Sequence, residues 1–96
     1  MLENYVKEFI AITEFCLKKE KKTLKFLIVE KSKIIAMLDQ NQYDTSLNKL
    51  KFWKGMNWID TDDRKLTRRR YVKEEKKYKT FVCIYLNVYE TLNSIQ

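Results

Sequence analysis

LTRRRYVKEEKKYKTFVCIYL, residues 66–86, decides how this chain folds. Two strand-like runs, residues 66–73 and 78–86, flank the charged tetrapeptide at 74–77. Successive side chains of a strand point to opposite faces. The second run therefore sets Thr80, Val82, Ile84 and Leu86 on one face and Phe81, Cys83 and Tyr85 on the other. The same alternation sets Arg68 and Arg70 against Arg69, Tyr71 and Lys73. The expectation is a β-hairpin with an apolar base and a cationic tip.

Charge singles out the same segment. Residues 64–79 hold nine Lys/Arg and two Glu, a local balance of +7 that equals the formal charge of all 96 residues. All four arginines lie between Arg64 and Arg70, whereas fifteen of the sixteen lysines lie outside that stretch. A guanidinium is planar, grips phosphates and base edges in pairs of hydrogen bonds, and is less strongly hydrated than an ammonium. A basic strand edge guarded against aggregation would carry charge too, but would not require arginine. The segregation points to a polyanion, and first to nucleic acid.

Outward from the hairpin, apolar spacing predicts a helix over residues 4–20, with a stripe (Tyr5, Val6, Phe9, Ile10, Ile12, Phe15, Cys16, Leu17) wide enough for part of it to face a second subunit. Residues 23–29 read as a strand and 31–40 as a helix with Ile34, Ile35, Met37 and Leu38 inward. A polar turn at 41–44 leads to a helix over 46–56, capped by Asp44 or Thr45, with Leu47, Leu50 and either Phe52 or Trp53 inward. Gly55, the only glycine, is placed as its left-handed stop. Trp58 and Ile59 follow as an anchor, and 60–63 as a turn. Asn87 and Glu90 make a capping box for a short helix through Ile95.

Ninety-six residues suit one domain, 1–96, around one modest core. No apolar run reaches the ~18 residues of a membrane span, and the first residues lack signal-peptide character, so a cytoplasmic protein is expected. Cys16 and Cys83 fit no metal spacing and read as reduced core residues. Histidine is absent, which removes the commonest general base and metal ligand. Asp60, Asp62 and Asp63 read as a solvated loop rather than a Mg²⁺ site. A phosphate-cradling loop needs more glycines than one. The expectation is a binding protein, not an enzyme, with no cofactor.

The order helix, strand, helix, turn, helix, anchor, basic hairpin resembles the winged helix-turn-helix, an α+β fold. The likeness rests on IIAML (residues 34–38), SLNKLKFWKGMNWI (46–59), RRRYV (68–72) and YKTFVCIYL (78–86). Leu47, Leu50, Gly55 and Ile59 stand where that family seats its recognition helix and starts its wing. The hairpin departs from the pattern: its tip has no glycine, and the Asp-rich loop before it is long. Within that class the chain looks like the TcpK-type relaxosome accessory proteins of conjugative plasmids.

The resemblance implies double-stranded DNA as partner, A·T-rich on the arginine reading, bound at an origin of transfer by a homodimer, with a relaxase or coupling protein nearby. It makes residues 46–56 a candidate major-groove helix, with Asn48 placed to pair with adenine and Lys49, Lys51 and Lys54 to hold phosphates. A solvated amphipathic face would use the same residues. The wing supplies the rest of the candidate site: Arg64, Lys65, Arg68, Arg69, Arg70, Tyr71, Lys73, Lys76, Lys77 and Lys79. Arginine is favoured in a narrow A·T-rich minor groove, where the negative potential deepens. A small transcription or replication regulator, or a phage-type inhibitor docking on an acidic protein surface, stands as the alternative.

Overall fold

In the computed structural model, which describes residues 2–95, the elements run α1 (Leu2–Leu17), β1 (Lys21–Lys22), β2 (Phe26–Glu30), α2 (Lys31–Leu38), α3 (Ser46–Gly55), β3 (Ile59–Asp60), β4 (Arg68–Val72), β5 (Lys77–Tyr85) and α4 (Leu86–Ser94). The result is a compact α+β fold with four helices and a five-stranded antiparallel sheet. None of the helices is long and apolar enough to cross a membrane.

β5 is the spine of the sheet. One of its edges pairs with β2, Val29 opposite Val82 and Leu27 opposite Ile84. Its other edge pairs with β4 from Lys77 to Phe81 and with β3 at Cys83 and Ile84. Between β3 and β4 the edge strand breaks open into the loop 61–67. β2 is paired only as far as Phe81, so residues 77–80 of β5 have β4 as their sole partner. At ~3.3 Å per residue, that two-stranded ribbon runs about 13 Å past the rest of the sheet.

The core fills the face to which the alternation assigns Val82 and Ile84. Leu27, Val29, Ile34, Leu38, Leu50, Trp53, Trp58, Ile59, Phe9, Ile12 and Cys16 close around them. Phe9 meets Trp53 edge-on with ring centroids 5.0 Å apart and lies 4.8 Å from Trp58. Such contacts add to the burial of large apolar rings. The wide stripe of α1 is used largely within the chain, because α1 packs against the sheet, α2 and α4. Both cysteines are buried and unbridged, and burial pushes the Cys16 thiol up to about 11. On the other face of the sheet, Phe26, Ile28, Phe81 and Tyr85 stay half-buried, flanking the buried Cys83.

Several boundaries differ from the sequence expectation. The strand expected over 23–29 begins at Phe26, because Thr23 closes a tight turn, bonding the main chain of Phe26 in both directions. The hairpin loop is residues 73–76, one earlier than expected, and Lys76 takes the left-handed conformation (φ 53°) that a glycine usually supplies. α4 starts at Leu86 with no side-chain cap. The Asn87–Glu90 capping box is not formed, because the Leu86 N–H is spent on the Lys25 carbonyl as β5 runs straight into the helix.

The stop of α3 is the clearest correction. Gly55 remains helical, and the left-handed residue is Asn57 (φ 59°). The Trp58 N–H bonds the Trp53 carbonyl and the Asn57 N–H that of Lys54. That is a Schellman ending, with Phe52 and Trp58, their ring centroids 5.5 Å apart, as its apolar pair. The start is as expected: the Thr45 hydroxyl accepts the Asn48 N–H at 3.1 Å. Leu47, expected inward, is 53% exposed.

Lys49, expected on the outer surface of α3, is wholly buried. Its ammonium lies 3.1 Å from Glu8 of α1, donates to the carbonyls of Leu38 (2.6 Å) and Asn41, and sits 4.2 Å from the Tyr43 ring centroid. Glu8 also accepts from Asn41 (3.0 Å) and from the Tyr43 hydroxyl (2.6 Å). A charge can stay buried only when paired and hydrogen-bonded in this way. The cluster ties the α2–α3 turn to α1 and so sets how α3 leaves the core.

Two stability measurements test these assignments. A Cβ on Gly55 would meet nothing within 4 Å, so Gly55→Ala should stabilise the protein by about 0.5–1 kcal/mol in urea denaturation. A loss would restore Gly55 as the stop. Lys49→Met strands Glu8 as an unpaired buried charge and should cost about 3–5 kcal/mol. A cost within ~0.5 kcal/mol, the range of ordinary surface substitutions, would mean the cluster is solvated.

Candidate nucleic-acid interface

The ribbon beyond β2 brings the hairpin cations together. Its residues 69–80 are exposed except for Val72 and Lys79, which are half-buried. What decides their chemistry is which of them the protein's own carboxylates already hold.

Arg68, at the root of the ribbon, is held twice. Its Nε donates to Asp60 at 2.7 Å and a terminal nitrogen to Asp62 at 3.1 Å. The same Asp62 carboxylate accepts the Arg69 main-chain N–H at 3.0 Å. The Arg68 hydrogen bond holds the Asp60 carboxyl below the usual aspartate range, and Asp60 in turn raises the guanidinium. The loop expected to be solvated acids thus clamps the root of the hairpin. Lys79 is shared between Glu75 at 2.6 Å and Glu30 at 2.9 Å, which raises its ammonium and lowers Glu30. Lys77 lies 3.9 Å from Glu75, a surface contact worth little.

The remaining six cations of 64–79 make no salt bridge among the described residues: Arg64, Lys65, Arg69, Arg70, Lys73 and Lys76. Arg69, Arg70, Lys73 and Lys76 line the projecting ribbon and its turn. Arg64 and Lys65 sit in the loop 61–67, where Arg64 has φ 60°. Lys54 reaches that loop from the end of α3 and donates to the Lys65 carbonyl at 2.7 Å.

The helix fares less well than the ribbon. Lys49 is withdrawn into the core and cannot touch a phosphate. Asn48 is exposed, but its amide donates to Asp44 at 2.9 Å, part of the cap at the start of α3. Asp44 is itself held below the usual range, chiefly by the Tyr5 hydroxyl. Lys51 is exposed, Lys54 half-buried. The outward face of α3 offers few ready donors.

Tyr78 lies outside the sequence-based set and belongs with it. It pairs with Tyr71 across the ribbon; the ring centroids are 5.2 Å apart, and the Arg69 guanidinium lies 4.5 Å from the Tyr78 centroid. The signal was present in the alternation, which puts Arg69, Tyr71, Tyr78 and Thr80 on one face of the hairpin. Comparison with protein families finds no family model that matches the chain, and no curated protein matches it.

The Asp60–Arg68 clamp has a pH signature. A carboxylate whose folded value is depressed contributes its full stability above the unfolded value, about pH 4. The contribution is lost as pH falls through the folded value. Asp60→Asn should therefore lower stability at neutral pH and flatten its decline below about pH 4. Denaturant titrations across that range check this, and an unchanged acid slope removes the clamp.

Proposed function

We propose that the protein binds double-stranded DNA through the ribbon of residues 69–80, with Arg69, Arg70, Lys73 and Lys76 at the contact and Arg64, Lys65, Lys51 and Lys54 holding flanking phosphates. One observation carries this reading: among the described residues, six of the nine cations of residues 64–79 have no carboxylate partner, four on the ribbon and its turn and two in the adjoining loop, while Arg68 at the root and Lys77 and Lys79 in the second strand of the ribbon are paired. Excess charge displayed on a projecting element is placed for a polyanion. The arginine side chains, rather than the ribbon as a body, suit the minor groove, which is only ~6 Å wide. Its A·T-rich form supplies the deepest potential.

A winged helix-turn-helix is the finer fold reading that goes with this function. In its favour are the pairing of the strand before α2 with the second strand of the hairpin, and the placement of α2 and α3 between them. The ribbon then takes the larger share of the contact, since α3 keeps little of the recognition surface expected of it. A homodimer at an origin of transfer, with a relaxase or coupling protein beside it, extends the same proposal on the strength of the sequence resemblance. Histidine-free and without a glycine-rich phosphate loop, the chain is read as a binding protein rather than an enzyme.

The six unpaired cations of residues 64–79 alone should give a slope of log K against log salt of roughly −5, which Lys51 and Lys54 would steepen. Fluorescence anisotropy with an A·T-rich duplex measures it, and affinity insensitive to salt would refute the proposal. Arg69→Ala or Arg70→Ala should cost about 1–3 kcal/mol of specific binding where the residue reads a base edge. A residue that only grips phosphate would instead weaken specific and random DNA alike and reduce the slope by about one. Distamycin should compete with the protein if the minor groove is its seat.

A further inference from the structure

The two faces of the ribbon are chemically unlike. On one, Arg68, Arg70, Val72, Lys77 and Lys79 lie alongside Phe81, and the carboxylates of Asp60, Asp62, Glu30 and Glu75 reach in among them. On the other stand Arg69, Tyr71, Tyr78 and Thr80. Among the described residues no carboxylate makes a salt bridge to that second face. Asp62 bonds only the main chain of Arg69 there.

The tyrosines on this face are poorly used by the fold. Tyr71 is 52% and Tyr78 58% exposed, on a part of the hairpin that reaches past the core. A cross-strand pair steadies a hairpin, but β-branched residues serve that purpose as well. What tyrosine adds is an aromatic surface. Here two rings meet edge-on at an interplanar angle of 70°, held by the main-chain pairing of Tyr71 with Tyr78, with the Arg69 guanidinium over the Tyr78 ring.

Rings interleaved with cations are what unpaired bases require. A base–aromatic contact is sequence-tolerant because every base has a π face, and adjacent cations track the backbone. In a continuous duplex those faces are stacked on their neighbours and closed to a side chain. The platform gains its partner only where the stack is open, and A·T-rich DNA, especially at TA steps, unstacks most readily.

We infer that the Arg69–Tyr71–Tyr78 face is a stacking platform for unpaired DNA bases, so that the site prefers DNA containing a short melted segment to a continuous duplex. This rests on the DNA-binding reading and adds to it the structural class of DNA recognised. Arg69 takes the phosphate beside the stacked base, while Lys73 and Lys76 hold the strands as they part.

The test compares two labelled duplexes with the same A·T-rich flanks, one fully paired and one with a short unpaired thymine bubble. Wild-type protein should bind the bubble about tenfold more tightly, within the range that one stacked base contributes. The double variant Tyr71→Val, Tyr78→Val keeps strand-forming side chains. It should lose that preference, weakening bubble binding about tenfold more than it weakens binding to the fully paired duplex, where the cations still hold the backbone. Tyr78→Phe keeps the ring and should keep the preference. Equal wild-type affinity for both duplexes, with a steep salt dependence, would overturn the platform and leave duplex binding standing. Equal losses on both duplexes in a valine variant whose circular dichroism matches wild type would also overturn it, by making the rings structural. Binding to neither would overturn both readings.

Discussion

The functional geometry depends on a mismatch of strand lengths. β2 has five residues and is followed without a gap by α2, whereas β5 has nine. Both are antiparallel partners in one sheet, and the pairing starts from Tyr85 opposite Phe26. The shorter strand therefore runs out at Phe81, and the rest of β5 must leave the sheet with β4 alone. The core depends on the shared half of this pairing, since Val29–Val82 and Leu27–Ile84 form its floor. The candidate site depends on the half that is not shared. Lengthening β2 by two pairs would cover residues now free to meet a ligand.

The carboxylates reinforce that division. A two-stranded ribbon is marginal in water without a body to lean on, and here its root is braced by Asp60 and Asp62 on Arg68, and by Glu30 on Lys79. Arg68 is neutralised at the root, while residues 69–80 keep six Lys/Arg against two Glu, a balance of +4. Had the acids been scattered toward the tip, the ribbon would be equally stable and electrostatically quiet. Glu74 and Glu75 of the turn are the exceptions, and Glu75 is turned back onto Lys79 and Lys77.

Much of the fold was legible. Period-two alternation in 78–86 grouped the side chains that became the floor of the core, and apolar spacing predicted the two helices that cover it, with Ile34, Leu38 and Leu50 inward as expected, Trp53 rather than Phe52 fully buried, and Leu47 turned outward. Trp58 and Ile59 are the buried anchor that was expected. The misreadings share a cause: backbone partners supplied from a distance displaced local signals. Asn87 and Glu90 lost their capping role to the Lys25 carbonyl, and Gly55 lost its role to Asn57, which reaches the left-handed region with a short polar side chain. Composition marked the segment whose cations the ribbon gathers. It had no means of separating Arg68 and Lys79, which are ion-paired, from Arg70, which shares their face without a salt bridge, or from Arg69 on the opposite face, because that depends on the hairpin register and on where the loop 61–67 brings its acids.

Lys49 shows why charge in a sequence is not charge on a surface. It reads as one of three lysines on the outward side of a DNA-facing helix, and i, i+2, i+5 spacing does nothing to mark it as different. Yet its ammonium closes the α2–α3 turn, where the carbonyls of Leu38 and Asn41 would otherwise lack a donor and Glu8 a counter-charge. The helix thereby gives up a phosphate contact in exchange for a fixed exit angle. That trade moves electrostatic weight away from α3 and onto the hairpin, where long side chains need no core to place them. The helix is left to anchor the turn and the loop 61–67, through Lys49 and Lys54, while the unpaired cations of residues 64–79 stand on the hairpin and its adjoining loop.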